Sequence, residues 1–182
     1  LLSSNRKEAR AQQLSQEGRL TYVSTETGFE VNCVWSMEQD SMGDLWLGTR
    51  GSGLLKFDGS SFTQWDRKQG LPHNVIRSVA IDQQGRVWMG TWGQGICMKE
   101  GNEFYQFSEA EGLSCNLITK IFIDSQQRIW FGTEYGGVGV INQGRLMQYS
   151  AKEGLMENTI LDIEESNTGE ILFATYGAHL CS

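Results

Sequence analysis

The chain has 182 residues, of which 39% are hydrophobic, 22 are glycine and one is proline. That make-up describes a turn-rich folded chain, of a length for one domain or for part of a longer repeat array. The formal charge of −7 leaves no basic face to displace counterions from a phosphate backbone, which excludes nucleic acid as a partner. No run of about 18 apolar residues is present, so nothing reads as a membrane-spanning helix. The chain starts at Leu1 rather than Met, and the expectation is a processed form or an excised fragment, with which a signal peptide or membrane anchor could have been lost.

Residues 1–17 lie outside any repeat. The stretch Arg6-Lys7-Glu8-Ala9-Arg10-Ala11-Gln12-Gln13-Leu14 is rich in helix formers but has too few apolar positions for an amphipathic face, so a solvated helical linker or connector is expected. From Gly18 onward one pattern returns every 42 residues: Trp46, Trp88 and Trp130, with Leu172 in the next place; Thr49, Thr91, Thr133 and Thr175; Gly28, Gly70, Gly112 and Gly154; Asn32, Asn74, Asn116 and Asn158. Repeats of this length built from short strands indicate the blades of a β-propeller.

The repeat begins in its middle. Leu20-Thr21-Tyr22-Val23 matches Phe62-Thr63-Gln64-Trp65, Phe104-Tyr105-Gln106-Phe107 and Leu146-Met147-Gln148-Tyr149, short alternating segments suited to a half-buried strand. In the second repeat strand a is assigned to Val75–Ile81, b to Arg86–Thr91, c to Gly95–Lys99 and d to Glu103–Phe107. The a–b turns are Asp40-Ser41-Met42-Gly43, Asp82-Gln83-Gln84-Gly85 and Asp124-Ser125-Gln126-Gln127, where the aspartate can accept nearby backbone N–H groups and Gly supplies positive φ. One carboxylate per blade, with no second one nearby, fits a turn rather than a calcium site; Gln127 in place of the glycine and Ser166 in place of the aspartate agree. Trp46, Trp88 and Trp130 fall inside strand b and are expected to fill the wedges between blades, each burying about 150–250 Å². The expected fold is therefore all-β, four blades of four antiparallel strands over residues 18–182.

The last repeat has strands a, b and c (about 160–164, 170–175 and 179–181) but no d, while Leu20–Val23 is a d strand without its blade. Pairing the two would close a ring and remove exposed edges. Otherwise the open edges pair between two chains as a homodimer, or the chain is a segment of a larger propeller. Cys33, Cys97, Cys115 and Cys181 show no C-x-x-C spacing, so no zinc site and no other metal or cofactor is expected, and all four read as free thiols. Cys97 and Cys181 share one register two blades apart.

The string Gly-Leu-Pro-x-Asn-x-Val/Ile, then Asp-x-x-Gly-x-Val/Leu-Trp-x-Gly-Thr, resembles the two-component regulator propeller repeat over Gly28–Thr49, Gly70–Thr91, Gly112–Thr133 and a degenerate fourth copy ending at Thr175. The resemblance implies a sensor module. In that family such repeats usually form seven-bladed propellers in the periplasmic or extracellular part of membrane-bound histidine kinases, hybrid kinases and some diguanylate cyclases, with polysaccharide fragments as frequent ligands. This chain has four repeats and no kinase, cyclase or transmembrane segment.

The inventory for catalysis is thin. His73 and His179 are the two histidines, and no Gly-x-Ser-x-Gly elbow, phosphate loop or His-x-x-x-His pair occurs. The rival enzyme class is a streptogramin-type lyase, which would need a histidine and an acidic metal cluster on the channel face. Binding is expected where the repeats disagree. The b–c and d–a loops share one rim, and there the recurring Thr is followed by Arg50, Trp92, Glu134 and Tyr176, while the d–a loops carry Glu30, Pro72, Ser114 and Met156, then Val31, His73, Cys115 and Glu157. Arg50, Trp92, Glu134, Tyr176 and His73 are the candidate ligand-binding residues, for a carbohydrate or small polar ligand. A protein-interaction platform is the alternative.

Overall fold

The computed structural model describes residues 10–14, 20–24, 33–177 and 179–181; Gly28, Glu30, Val31 and Asn32 of the first repeat lie outside them. Three four-stranded antiparallel sheets follow one another: β3 (Val34–Gln39), β4 (Leu45–Thr49), β5 (Leu54–Phe57) and β6 (Phe62–Trp65); β7 (Ile76–Ile81), β8 (Val87–Thr91), β9 (Ile96–Glu100) and β10 (Glu103–Phe107); β11 (Ile118–Ile123), β12 (Ile129–Thr133), β13 (Val138–Asn142) and β14 (Arg145–Tyr149). A fourth blade holds β15 (Ile160–Glu165), β16 (Ile171–Thr175) and β17 (His179–Cys181). The innermost strands β3, β7, β11 and β15 stand against one another in that order, as in a propeller. Strand assignments in the second repeat agree with the expectation to within a residue.

The N-terminal segment departs from it. Arg10–Leu14, expected to be helical, is a strand (β1), and it pairs in antiparallel register with β2 (Leu20–Ser24), Arg10 opposite Ser24 and Leu14 opposite Leu20. The expected pairing of 20–23 with the C-terminal blade is therefore not made: β17 pairs with β16, and β2 with β1. The repeat itself explains both corrections. One period before β5 and β6 lie β1 and β2, so this hairpin occupies the c and d places of a preceding repeat. Closing it needs a loop of a few residues, whereas reaching β17 would close one of more than 150, at a larger entropic cost. The helix-forming composition of 6–14 is overridden by that strand pairing.

Between blades the packing is the same three times over. Trp46, Trp88 and Trp130, 7%, 4% and 9% exposed, each cover residues of the following blade: Ile76, Val79, Val87 and Met89; Ile118, Ile121, Ile129 and Phe131; Ile160, Ile163 and Phe173. The recurring glycine before each threonine is what lets the blades approach. A Cβ on Gly48, Gly90 or Gly132 would lie 3.0, 2.6 or 2.7 Å from the Cγ2 of Ile76, Ile118 or Ile160 in the next blade. Each d–a loop starts with a 3-10 turn (Arg67–Gln69, Glu109–Glu111, Ala151–Glu153) ended by Gly70, Gly112 or Gly154 at φ of 95°, 103° and 107°, which explains that recurring glycine. The recurring asparagine holds the same loop, its Oδ1 accepting from the N–H of Arg67, Glu109 or Ala151 at 2.8–2.9 Å.

The a–b turn aspartates do more than turn the chain. Asp82 Oδ1 accepts from the N–H of Gln84 and Arg86, both at 3.0 Å, and its Oδ2 accepts from Trp88 Nε1 at 2.9 Å and Arg86 Nε at 2.6 Å. Asp40 binds Trp46 Nε1 at 2.8 Å and Asp124 binds Trp130 Nε1 at 2.8 Å in the same way. Burial by itself would raise the Asp82 carboxyl, but the donors from Trp88 and Arg86 outweigh it and hold the group below its ordinary 3.8. Gln127, standing where the other turns have glycine, adopts φ of 62° and accepts from Gln83 N–H of the preceding blade at 3.0 Å.

One wedge differs. Lys99, 8% exposed, has its ammonium 4.7 Å from the Trp65 ring centroid, 5.8 Å from Trp46 and 6.0 Å from Phe104. It donates to the Gly101 carbonyl. Loss of water, then repulsion from Lys56, depresses its pKa below 10.5. Cys97 is fully buried and its thiol is pushed up to about 12 by desolvation.

Trp88→Ala is expected to cost about 3–5 kcal/mol, as for other large core truncations, and Gly90→Ala about 1–3 kcal/mol through overpacking against Ile118; denaturant unfolding checks both. For pH, the sign follows from the aspartates. Their folded-state pKa values lie below 3.8, so their stabilisation is full above that value and is lost as pH falls through and below it. Asp82→Ala is expected to destabilise by about 3 kcal/mol at neutral pH, by leaving Trp88 Nε1 and two backbone N–H groups unpaired, and to make unfolding less steep in acid than in the unaltered chain.

Candidate functional site

The rim carrying the b–c and d–a loops is built from backbone first. Thr49, Thr91 and Thr133 are fully buried, and each Oγ1 donates to the carbonyl of Gly53, Gly95 or Gly137 at 2.7–2.8 Å while accepting from the N–H of Ser52, Gln94 or Gly136 at 2.8–3.0 Å. The residue after each threonine is pinned by its own N–H. Arg50 donates to Cys33 O, Trp92 to Val75 O, Glu134 to Leu117 O and Tyr176 to Thr159 O, at 2.9–3.1 Å. The main chain there is fixed and identical in each blade, so the four side chains can differ without cost to the fold.

Arg50 and Trp92 are brought to one place, through two residues that the loop comparison does not single out. Arg77 lies between two indoles, its guanidinium carbon 4.7 Å from the Trp35 centroid and 4.6 Å from that of Trp92. Arg50 approaches the same Trp35 ring at 5.9 Å. Trp35, Arg77, Thr119 and Leu161 share one register, the second residue of strand a. In all four blades the pairing of that strand slips at this residue, between 34 and 36, 76 and 78, 118 and 120, and 160 and 162. A bulge re-aims the side chain it carries. Trp35 is 38% exposed, Arg77 half-buried beside the fully buried Ile76, and Leu161 54% exposed beside the fully buried Ile160, whereas Thr119 in the same register is itself buried. The signal in the sequence was an arginine in Val75–Ile81, where an apolar strand is expected.

The other expected residues stand as follows. Tyr176 is 69% exposed, and its neighbour in kind, Tyr135 in the third b–c loop, is 67% exposed. Glu134 is half-buried, and its carbonyl accepts from Thr159 Oγ1. His73 is half-buried with Nδ1 accepting from Val75 N–H at 3.0 Å. Cys115, one repeat later, receives Leu117 N–H on its sulfur at 3.4 Å, so the two residues serve the same loop-capping purpose. Among the described residues no side-chain hydrogen bond, ion pair or ring contact joins His73, Glu134 or Tyr176 to the Arg50–Trp92 group.

A second polar region runs between the innermost strands. Ser36 Oγ accepts from Val79 N–H and Ser78 Oγ from Ile121 N–H, both at 2.9 Å, which stitches each blade to the next. In the same register Lys120 and Asp162 form an ion pair at 2.6 Å. Ser36, Ser78 and Lys120, with Glu38 and Glu164, line a cavity of about 310 Å³. Loss of water raises the Glu38 carboxyl above 4.5, with Lys120 drawing it back, and the side chain itself stays exposed. Among the described residues no three His, Cys, Asp or Glu side chains stand together as a metal site would require.

Comparison with known proteins agrees with this architecture. The extracellular domain of the hybrid two component system BT3049 from B. thetaiotaomicron superposes with a TM-score of 0.73 at 24% identity, over 89% of this chain and 25% of that one. A streptogramin B lyase gives a TM-score of 0.74 at 20% identity, over 98% of this chain and 62% of the lyase. Virginiamycin B lyase from Staphylococcus aureus gives 0.71 at 13% identity, over 94% and 61%. At these identities the likeness establishes the propeller fold, and the chain spans about a quarter of the length of the two component system domain. No curated protein matches the sequence. The family described as the two component regulator propeller matches residues 28–51, 70–93 and 112–135, each running from the loop glycine through the Trp-x-Gly-Thr strand to the rim. Three repeats of this chain are two component regulator propeller repeats.

Proposed function

We propose that this chain is a non-catalytic sensor module of a bacterial two-component-type signalling protein, lying outside the cytoplasm and recognising a carbohydrate or small polar ligand on the b–c rim. The observation that carries the reading is the contrast within each repeat. Trp, Asp, Gly, Thr and Asn recur because they build the wedge, the turns and the loops, whereas the side chains aimed off that frame at the rim are Arg50, Trp92, Glu134 and Tyr176, joined by Trp35, Arg77 and Tyr135. Indoles and phenols present flat apolar faces with polar edges, which suit sugar rings, and a guanidinium can fork to a carboxylate. The repeat family and the extracellular two component system domains of like fold support the sensor role.

The lyases share the fold, and that keeps a second reading in view. Against it stands His73, whose Nδ1 is engaged by Val75 N–H, a loop-capping use rather than one aimed at a substrate. Titration of oligosaccharides followed by indole emission tests the first reading. Trp92→Ala, Arg50→Ala and Tyr176→Ala are each expected to weaken binding about tenfold, the loss of one stacked ring or one charged hydrogen bond. Binding unchanged in the triple variant would move the site elsewhere. Capture of a protein partner with no small ligand favours an interaction platform, and turnover abolished by His73→Ala favours an enzyme.

A further inference from the structure

We infer that Arg77 and Arg50, held by Trp35 and Trp92, form an anion subsite, so that the ligand of this rim carries a carboxylate or sulfate beside a ring face; this rests on the rim reading above. The first ground is placement. Both indoles meet the Arg77 guanidinium carbon at 4.6–4.7 Å from their ring centroids. A ring is at best a weak acceptor, so such contacts position the guanidinium without using up the N–H groups that fork to a carboxylate or sulfate.

The second ground is the missing counter-charge. Lys56 pairs with Asp44 at 2.5 Å, Arg86 with Asp82 at 2.6 Å, Lys120 with Asp162 at 2.6 Å, and Arg128 with Asp124. Among the described residues neither Arg50 nor Arg77 has a carboxylate within ion-pair distance, and neither guanidinium donates a hydrogen bond to the protein. Acid is not scarce in a chain with 22 Asp and Glu against 15 Lys and Arg. Two guanidiniums converge instead on one indole, Trp35, where like charges repel unless an anion lies between or beside them.

The third ground is the backbone. The bulged position of strand a, exposed or half-buried at Trp35, Arg77 and Leu161 and buried at Thr119, carries tryptophan in the first blade and arginine in the second. Arg77 therefore bridges two blades, held against Trp35 of one and Trp92 of its own. A neutral glycan would leave both charges unanswered.

A glycan array bearing neutral, uronic-acid and sulfated oligosaccharides, probed with the labelled chain, tests this, followed by titration of the best binder. The expected result is retention of acidic glycans, with carboxylate and sulfate arms telling the two anions apart, and affinity that falls as salt is raised. Arg77→Gln should lose about tenfold or more, the worth of one charge-assisted hydrogen bond. Arg77→Lys, which keeps the charge but not the fork, should fall between, and unchanged thermal unfolding of both variants excludes a folding defect. Neutral glycans bound as well as acidic ones, or acidic binding indifferent to Arg77→Gln, overturns the anion subsite while the rim reading survives if Trp92→Ala still weakens binding. Binding of any glycan that survives the Trp92, Arg50 and Tyr176 replacements together overturns the rim reading as well, and an array with no binder at all overturns both.

Discussion

In each complete blade an aspartate carboxylate at the a–b turn and an indole N–H six residues later are joined at 2.8–2.9 Å, and the rest of the structure hangs on that bond. A buried carboxylate is unfavourable unless its lone pairs are filled. Here two backbone N–H groups of the turn fill one oxygen and the indole, with an arginine in two of the blades, fills the other. The turn and the wedge are thereby one unit: the same side chain that reverses the chain sets the rotamer of the ring that packs on the next blade. Arg86 and Arg128 complete it by lying over Trp88 and Trp130 at 5.6 and 5.2 Å, so charge, hydrogen bond and ring are stacked in sequence.

The opposite end of the blade follows a different rule. There the frame is made of main-chain and hydroxyl hydrogen bonds through Thr, Gly and Asn, and it asks nothing of the residues between them. A rigid scaffold with unconstrained side chains is how loops carry recognition. The strand a bulge extends the same freedom into a sheet at Trp35, Arg77 and Leu161, where the bulged residue is released from the strand's alternation, though Thr119 at the same place is buried.

Charges are spent unevenly along the molecule. Near the a–b turns the cations meet aspartates. In the first wedge Lys99 is enclosed by Trp46, Trp65 and Phe104, where the register one blade later holds Ile141, so a core position has been given to an amine that retains only ring faces and one carbonyl. At the rim Arg50 and Arg77 are likewise answered by rings. The two situations differ in access: Lys99 is buried, whereas Arg50 is exposed and Arg77 half-buried.

The 42-residue recurrence was enough to read the blade, its strands and the burial of Trp46, Trp88 and Trp130, because each repeat is a local unit whose turns and apolar faces are written within it. It also separated frame from rim, since residues under a shared steric demand recur and those without one do not. It could not show that Asp82 and Trp88 are bonded, since a turn residue and a core residue look independent until the hairpin folds one onto the other. Nor could it show Arg77 between Trp35 and Trp92, residues 42 and 15 positions away from it, for that contact exists only once two blades are packed and a bulge has turned the side chain outward. The partner of Leu20–Ser24 was likewise a tertiary matter: two strands offered the same edge, and the one a short loop away was taken.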